Sequence, residues 1–438
     1  MSFNKQTIRD AKLKGKTVLL RADYNVPIRG DGQIAGDYRL VQSIPTIQYL
    51  LKQGCKVVII SHMGRPKDKY DKHLSLKPVA KHLQKLLGQP VTFVDECIGP
   101  VAEKAVQQMK PKEVLMLENL RFHPEEEAND KHFSEALARL GEVFVQDGFG
   151  VVHRAHASTE GVTHYLPSVS GLLLEKEVIT LEAAISNPKR PLMAIVGGVK
   201  IADKIEFLER FIAIADFLVV GGAMANTFLL AKGVDVGSSI VVPEDVPLAK
   251  KIMEMARQKA AKQRFVFYLP QDGVVATSLD PKAKTRIVDW DTHMIADIEN
   301  YPKRPPREAS KIKSNELLYD IGPFSGAFIA GGMQLAETVI WNGAMGVTEV
   351  SPLGGLGPVG PFAHCTELIV EAMLGQYGHR PFSIVGGGDT VSYVEGRGLT
   401  DSFNHVSTGG GASLELMSGK KLPGVEALKN KSRLKKAK

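Results

Sequence analysis

The chain has 438 residues, above the size at which one hydrophobic core usually stops growing, so two domains are expected. Hydrophobic residues make up 44% and charged residues 24%, the balance of a globular protein and not of a disordered one. The net charge of +7 points to an anionic partner, but no basic stripe with interleaved aromatics runs through the body of the chain, so no nucleic-acid partner is expected.

No apolar run reaches the roughly 18–20 residues of a membrane span. Met1 to Lys16 lacks the apolar stretch of a signal peptide. Cys55, Cys97 and Cys365 are odd in number and far apart, so neither a disulfide framework nor a metal-ligand spacing is read from them, and a reducing cytoplasm is the expected location.

In chain order, residues 17–20, 56–60, 114–117 and 143–146 are short apolar runs that predict buried parallel strands. Helical periodicity fills 40–53, 76–87 and 131–140 between them. Residues 172–187 carry apolar positions at helical spacing and stop at Pro188 and Pro191, predicting one long connecting helix. Alternation resumes with strands at 192–196, 217–220, 266–269, 338–341 and 382–385. The fold class read from this is α/β: two doubly wound, Rossmann-like parallel-sheet domains joined by a long helix, with a cleft between them as the expected ligand site. Residues 300–315, rich in Pro, Lys and Arg, and 351–361, rich in Gly and Pro, read as exposed loops. The basic run 429–438 reads as a solvated tail.

Each predicted strand of the first half ends in polar residues. Arg21, Asp23, Asn25 and then Arg39 follow the first; Ser61, His62, Gly64 and Arg65 follow the second. Glu118, Asn119, Arg121 and His123 follow the third; Asp147, His153, Arg154 and His156 follow the fourth. Carboxyl ends of parallel strands share one edge, so Arg39, His62, Arg65, Arg121 and Arg154 are expected to converge on a small, highly charged anion. His153 and His156 are expected to bond to backbone and shape their loop.

The second half repeats a strand that runs into glycines and a helix. Gly197, Gly198, Val199 and Lys200 lead to Asp203 and Lys204, and Lys200 and Lys204 are expected to share a helix face. Gly386, Gly387 and Gly388 lead to Asp389 and Thr390, where backbone amides can cradle phosphate and Asp389 can hold magnesium or serve as an N-cap. Further such turns lie at Gly221–Gly222 and Gly409–Gly411. Gly355, Gly357 and Gly360 match G-x-G-x-x-G, but Pro358 interrupts them and no strand leads in, so the match is read as chance. A P-loop is absent.

LRADYNVP (20–27), SHMGRP (61–66), LENLRFH (117–123), HRAH (153–156), GGVKIADK (197–204), GGAMANTF (221–228), DIGP (320–323), WNGAMG (341–346), GGGDT (386–390) and STGGGASLELMSGKKLPG (407–424) together resemble the phosphoglycerate kinase family, in its order and over nearly the whole chain. The resemblance implies a glycolytic kinase that transfers a phosphoryl group between 1,3-bisphosphoglycerate and ADP. It implies an N-terminal domain, 1–172, that binds 3-phosphoglycerate through Asp23, Asn25, Arg39, His62, Arg65, Arg121 and Arg154. It implies an inter-domain helix at 173–187 and a nucleotide domain at 188–412. There Gly197, Gly198, Lys200, Lys204, Gly386, Gly387, Gly388 and Thr390 would meet phosphates, Glu349 the ribose and Asp389 Mg2+. Arg39, Lys200, Gly387 and Gly410 would attend the transfer itself, and 413–438 would pack back on the N-terminal domain. Closure about the helix near Glu175 and a monomeric state are expected. The chain departs from the family at Val199, Ala344, Phe324–Ser325 and the inserted 351–361, which bears on ribose and adenine recognition. A binding protein that had lost turnover would lack Arg39, Lys200, Lys204 or Asp389, all present here. A nicotinamide-dependent dehydrogenase would need a dinucleotide fingerprint, which is missing.

Overall fold

The computed structural model describes residues 3–30, 32–66, 70–290, 311–350 and 359–431. The loops expected at 300–315 and 351–361 and the tail at 429–438 lie largely outside these residues. Among the described residues, no helix is long and apolar enough to cross a membrane.

Two compact units emerge: Met1–Ala183 with Thr408–Lys438, and Ala184–Ser407. The chain passes between them within the helix Leu172–Ser186 and returns after Ser407.

The first unit is built on six parallel strands: β1 (Thr17–Arg21), β2 (Lys56–Ile60), β3 (Val91–Val94), β4 (Val114–Leu117), β5 (Val143–Gln146) and β6 (Ser168–Ser170), in the order β3-β4-β2-β1-β5-β6. β3 and β6 are additions to the strands expected from sequence. Both carry interrupted apolar patterns that resemble loop: β3 exposes Thr92, and β6 is three residues long. The alternation of β1 explains the layering. Val18 and Leu20 join one core with Leu40, Ile47 and Val79, while Leu19 faces another with Val58, Leu137 and Phe144. A sheet covered on both faces needs strands apolar at successive positions, which is why these read as continuous runs.

The helix Leu172–Ser186 begins against this sheet. The Asp147 carboxylate, just past β5, accepts from the backbone N–H groups of Leu173 (2.9 Å) and Leu174 (3.2 Å), and Thr46 Oγ1 accepts from that of Leu172 (3.0 Å). Three otherwise unpaired donors of the first turn are thereby satisfied. The segment around 424–429 also packs on this unit: Gln6 N donates to Lys429 O at 2.7 Å and Gly424 N to Val152 O at 2.9 Å.

The second unit holds β7 (Leu192–Val196), β8 (Phe217–Val220), β9 (Val266–Tyr268), β10 (Asp272–Ala276), β11 (Arg286–Asp289), β12 (Leu317–Ile321), β13 (Thr338–Asn342), β14 (Phe382–Gly386) and β15 (His405–Val406). Six form a parallel sheet in the order β15-β14-β13-β7-β8-β9. The other three make an antiparallel sheet, β11-β10-β12, which sequence periodicity did not indicate. The order of the six-stranded sheet reverses between β7 and β13, and the first sheet reverses between β1 and β5. Ligands of doubly wound sheets bind outside the carboxyl ends at such reversals.

Candidate active site

The first unit gathers guanidinium groups at its reversal. Asp23, buried just past β1, accepts from the backbone of Asn25 (3.2 Å) and lies 3.1 Å from Arg39 Nη1, which also donates to the Asn25 carbonyl (2.9 Å). Asn25 Oδ1 accepts from Gly64 N at 2.9 Å, and the Gly64 carbonyl accepts from Arg121 Nη1 at 2.8 Å. Arg121 is aimed by Asn119, whose amide bridges the Met63 backbone (3.1 and 2.8 Å) and accepts from Arg121 N (3.0 Å). Arg154 donates to His153 Nε2 at 3.1 Å.

His62 lies in the middle of this group. Burial, followed by the charges of Arg21, Arg121, Arg39 and Arg154, pushes its imidazole well below the ordinary value, so it is neutral at pH 7. Burial and neighbouring arginines likewise lower His153 and His156 to about 4. Four guanidinium groups around neutral imidazoles make a strongly positive field, because an arginine beside a histidine suppresses the imidazolium and keeps its own charge.

Three of the four, Arg39, Arg121 and Arg154, were expected from sequence. The fourth is Arg21, which is 1% exposed and points inward. Its Nε donates to Ser158 Oγ at 2.8 Å, Ser158 Oγ donates to Glu126 at 2.5 Å, and its Nη2 lies 3.3 Å from His62 Nδ1. Arg21 is a buried, partnered charge that shapes the field from beneath. Arg65 is exposed, one residue past Gly64. His153 Nε2 accepts from Arg154, while His156 Nδ1 stands 3.9 Å from Glu126 and its backbone N–H donates to Thr159, so His153 adds a contact to arginine to the loop-shaping role expected of both.

The second unit gathers glycines and one lysine at its own reversal. Lys204 Nζ donates to the Gly197 carbonyl, to the Asn342 carbonyl (3.1 Å) and to Asn342 Oδ1 (2.9 Å). Burial lowers its pKa to about 8 against the raising pull of Asp389 and Asp203. The strand ends approach too closely for side chains. A Cβ on Gly343 (φ +103°) would stand 2.4 Å from the Gly197 carbonyl oxygen, and one on Gly387 (φ +89°) 3.1 Å from Asn342 Oδ1. Asn342 Nδ2 is buried and has no hydrogen-bond partner, so a donor is left aimed among these turns.

Lys200 and Lys204 do not share a helix face. The helix begins at Ile205 after a single 3-10 turn, Ala202–Lys204, so Lys204 turns in while Lys200 stays exposed. Gly387, and not Asp389, occupies the N-cap of the helix Gly388–Gly396, leaving Asp389 exposed in its first turn. Thr390 is fully buried, and its hydroxyl accepts from Gly343 N at 2.7 Å. Glu349 is exposed beyond β13. Gly410 (φ +48°) belongs to the first compact unit, where a Cβ on Gly411 would stand 3.5 Å from His153 Nε2.

The phosphoglycerate kinase family model matches residues 8–420. The chain belongs to the phosphoglycerate kinase family. A phosphoglycerate kinase of Chloroflexus aggregans is 45% identical over 430 residues, 98% of this chain and 100% of that one. One of Moorella thermoacetica is 44% identical over 427 residues, 98% of this chain and 100% of that one. The structure of phosphoglycerate kinase from Coxiella burnetii superposes with a TM-score of 0.75 at 34% identity, covering 97% of this chain and 98% of that one. The chain is thus a glycolytic kinase that moves phosphate between 1,3-bisphosphoglycerate and ADP.

Asn342, Asn119 and Arg21 are the site residues that sequence reasoning did not assign. Each stands at or just past a strand end within a phosphoglycerate kinase motif, which is the signal that was available. Among the described residues, the departures at Val199 and Phe324–Ser325 are accommodated locally. Ser325 Oγ donates to Asp272 (2.6 Å) and accepts from Gln271 N (2.9 Å), and the side chains of Val199 and Phe324 are exposed.

Proposed function

We propose that the first unit binds the three-carbon acid phosphate and the second presents the nucleotide, and that transfer is direct and in line. The observation that carries this reading is the set of guanidinium groups around neutral His62 in one unit, with Lys204, Asn342 and the glycine turns in the other. Arg39, Arg121, Arg154 and exposed Arg65 match the carboxylate and phosphate of 3-phosphoglycerate, and Asp23, Asn25 and His62 match its hydroxyl. Phosphoryl transfer needs positive charge around the equatorial oxygens and little covalent help. Arg39 and Lys200 supply that charge, and backbone N–H groups at Gly387 and Gly410 complete it. The ADP β-phosphate is already an anionic nucleophile, so no general base is needed in the ATP-forming direction.

The donor set at the second unit fits a nucleotide with Mg2+. Lys204, buried Asn342 Nδ2 and the turns Gly197–Gly198 and Gly386–Gly388 face phosphate, with Thr390 behind them. Glu349 is assigned to the ribose. Asp389 is one exposed carboxylate beside phosphate-binding amides, the arrangement Mg2+ accepts because it takes most of its remaining ligands from phosphate and water. When bound, the ion would offset phosphate charge. Water must be excluded while the phosphoryl group is in flight, so closure of the two units during turnover belongs to this reading. A cytoplasmic monomer without nucleic-acid partners completes it.

A coupled assay with 3-phosphoglycerate, ATP and Mg2+ tests the assignment. Wild type turns over, and Arg39→Ala and Lys200→Ala each lose about a hundredfold in kcat, the scale of removing one transition-state charge. Unchanged kcat in both variants would remove the assignment.

A further inference from the structure

Cys97 and His123 are distant in sequence and carry no metal-ligand spacing, yet the sheet brings them together. β3 and β4 pair in parallel with Val94 opposite Leu117, so the chain beyond each strand emerges at the same edge. Glu96 and Cys97 follow β3, and His123 follows the 3-10 turn Leu120–Phe122 after β4. One ligand atom from each of Glu96, Cys97 and His123 lies within 4.8 Å of the others, and His123 Nε2 is 3.1 Å from Glu96 Oε1.

We propose that Glu96, Cys97 and His123 form a binding site for a thiophilic divalent transition metal such as Zn2+. Tetrahedral zinc, with bonds of about 2.0–2.3 Å to oxygen, nitrogen and sulfur, sets its donor atoms roughly 3.3–3.7 Å apart. The carboxylate–imidazole pair is already near that spacing, and a rotation of the Cys97 side chain would bring the thiol to it. The donor set of one sulfur, one nitrogen and one oxygen selects zinc over magnesium, which prefers oxygen alone. The His123 ring packs at 5.3 Å against Phe133, which limits its rotation. Glu96 and His123 are partly exposed, so the metal has an approach and a fourth position for water.

On binding, the His123–Glu96 hydrogen bond gives way. Nε2 contributes its lone pair with the imidazole proton on Nδ1, Glu96 contributes a carboxylate oxygen, and the Cys97 S–H proton passes to solvent as the metal–sulfur bond forms. This site is separate from the nucleotide's Mg2+ assignment at Asp389 and survives if that assignment fails.

Titrating the full-length protein with Co2+ in excess Mg2+ tests the proposal. The expected result is a near-ultraviolet thiolate-to-cobalt band saturating at one cobalt per chain and displaced by Zn2+. Cys97→Ser should abolish the band, Cys365→Ser should keep it, and His123→Gln and Glu96→Gln should weaken binding roughly tenfold or more. Absence of the band in wild type, or its persistence in Cys97→Ser, overturns the site. Should Cys97→Ser fail to fold, unchanged affinity in both His123→Gln and Glu96→Gln overturns it equally.

Discussion

Lys204 is a lysine whose surroundings hold its proton loosely. Burial brings it from 10.5 to about 8 in the ligand-free fold. Above pH 8 it loses the charge that would meet phosphate, so the KM for nucleotide is expected to rise between pH 7.5 and about 9.5, by at most tenfold per pH unit. Lys204→Met should show a high KM and a flat profile over that range, measured by initial rates. The same shift has a stability consequence of fixed sign. Between about 8 and 10.5 the unfolded chain binds more protons than the fold, so this group makes stability rise with pH in that window. Arg39 is the complementary case. It pairs with the largely buried Asp23 at 3.1 Å, so Arg39→Ala removes a charge proposed to meet substrate and also leaves a carboxylate without its guanidinium partner. The KM for 3-phosphoglycerate should rise together with the fall in kcat.

At the scale of elements, the start of the helix Leu172–Ser186 rests on a carboxylate that burial raises to about 7. The fold therefore binds more protons than the unfolded chain between 3.8 and about 7. The stability this contributes is fully present below 3.8 and is lost as pH rises through 7. Asp147→Asn keeps an oxygen for the Leu173 and Leu174 donors and removes the buried charge. Chemical denaturation should show the variant's stability varying less than wild type's between pH 5 and 8. Further along the same loop, a Cβ on Gly150 would stand 2.1 Å from Asp23 Oδ2. Gly150→Ala must displace the carboxylate that orients Arg39. The KM for 3-phosphoglycerate should rise about tenfold or more while the KM for ATP moves less than about twofold, since an ångström-scale misplacement in a site costs on that order.

At the scale of the whole molecule, the chain leaves the first unit within a helix and re-enters it at Thr408. Glu177, fully buried on that helix, accepts from both Thr408 N (2.6 Å) and Thr408 Oγ1 (2.7 Å), fastening departure to return. Glu177→Ala leaves a buried amide without its acceptor and should lower unfolding stability by roughly 1–3 kcal/mol by urea titration. Closure with both substrates bound should appear as a smaller radius of gyration by small-angle scattering than with either substrate alone, and an unchanged radius would contradict closure.

Local chemistry determined much of this protein in advance. The apolar runs of β1, β2, β4 and β5 were legible because a strand buried on both faces is apolar at successive positions, and motif order carried the family. The residues at strand ends were legible as a class, since the carboxyl edge of a parallel sheet is where ligands bind. Tertiary structure alone decided what surrounds each of them. Arg21 and Arg65 are equally polar in sequence, yet one is sealed behind Ser158 and Glu126 while the other faces solvent. Lys204 turns inward and Lys200 does not, because a 3-10 turn intervenes before the helix. β10 pairs with β12 only across a long stretch of chain, which periodicity does not record. Whether a charge is buried, paired or free depends on neighbours far away in sequence, and that is the physical reason residue types were readable here while several individual roles were not.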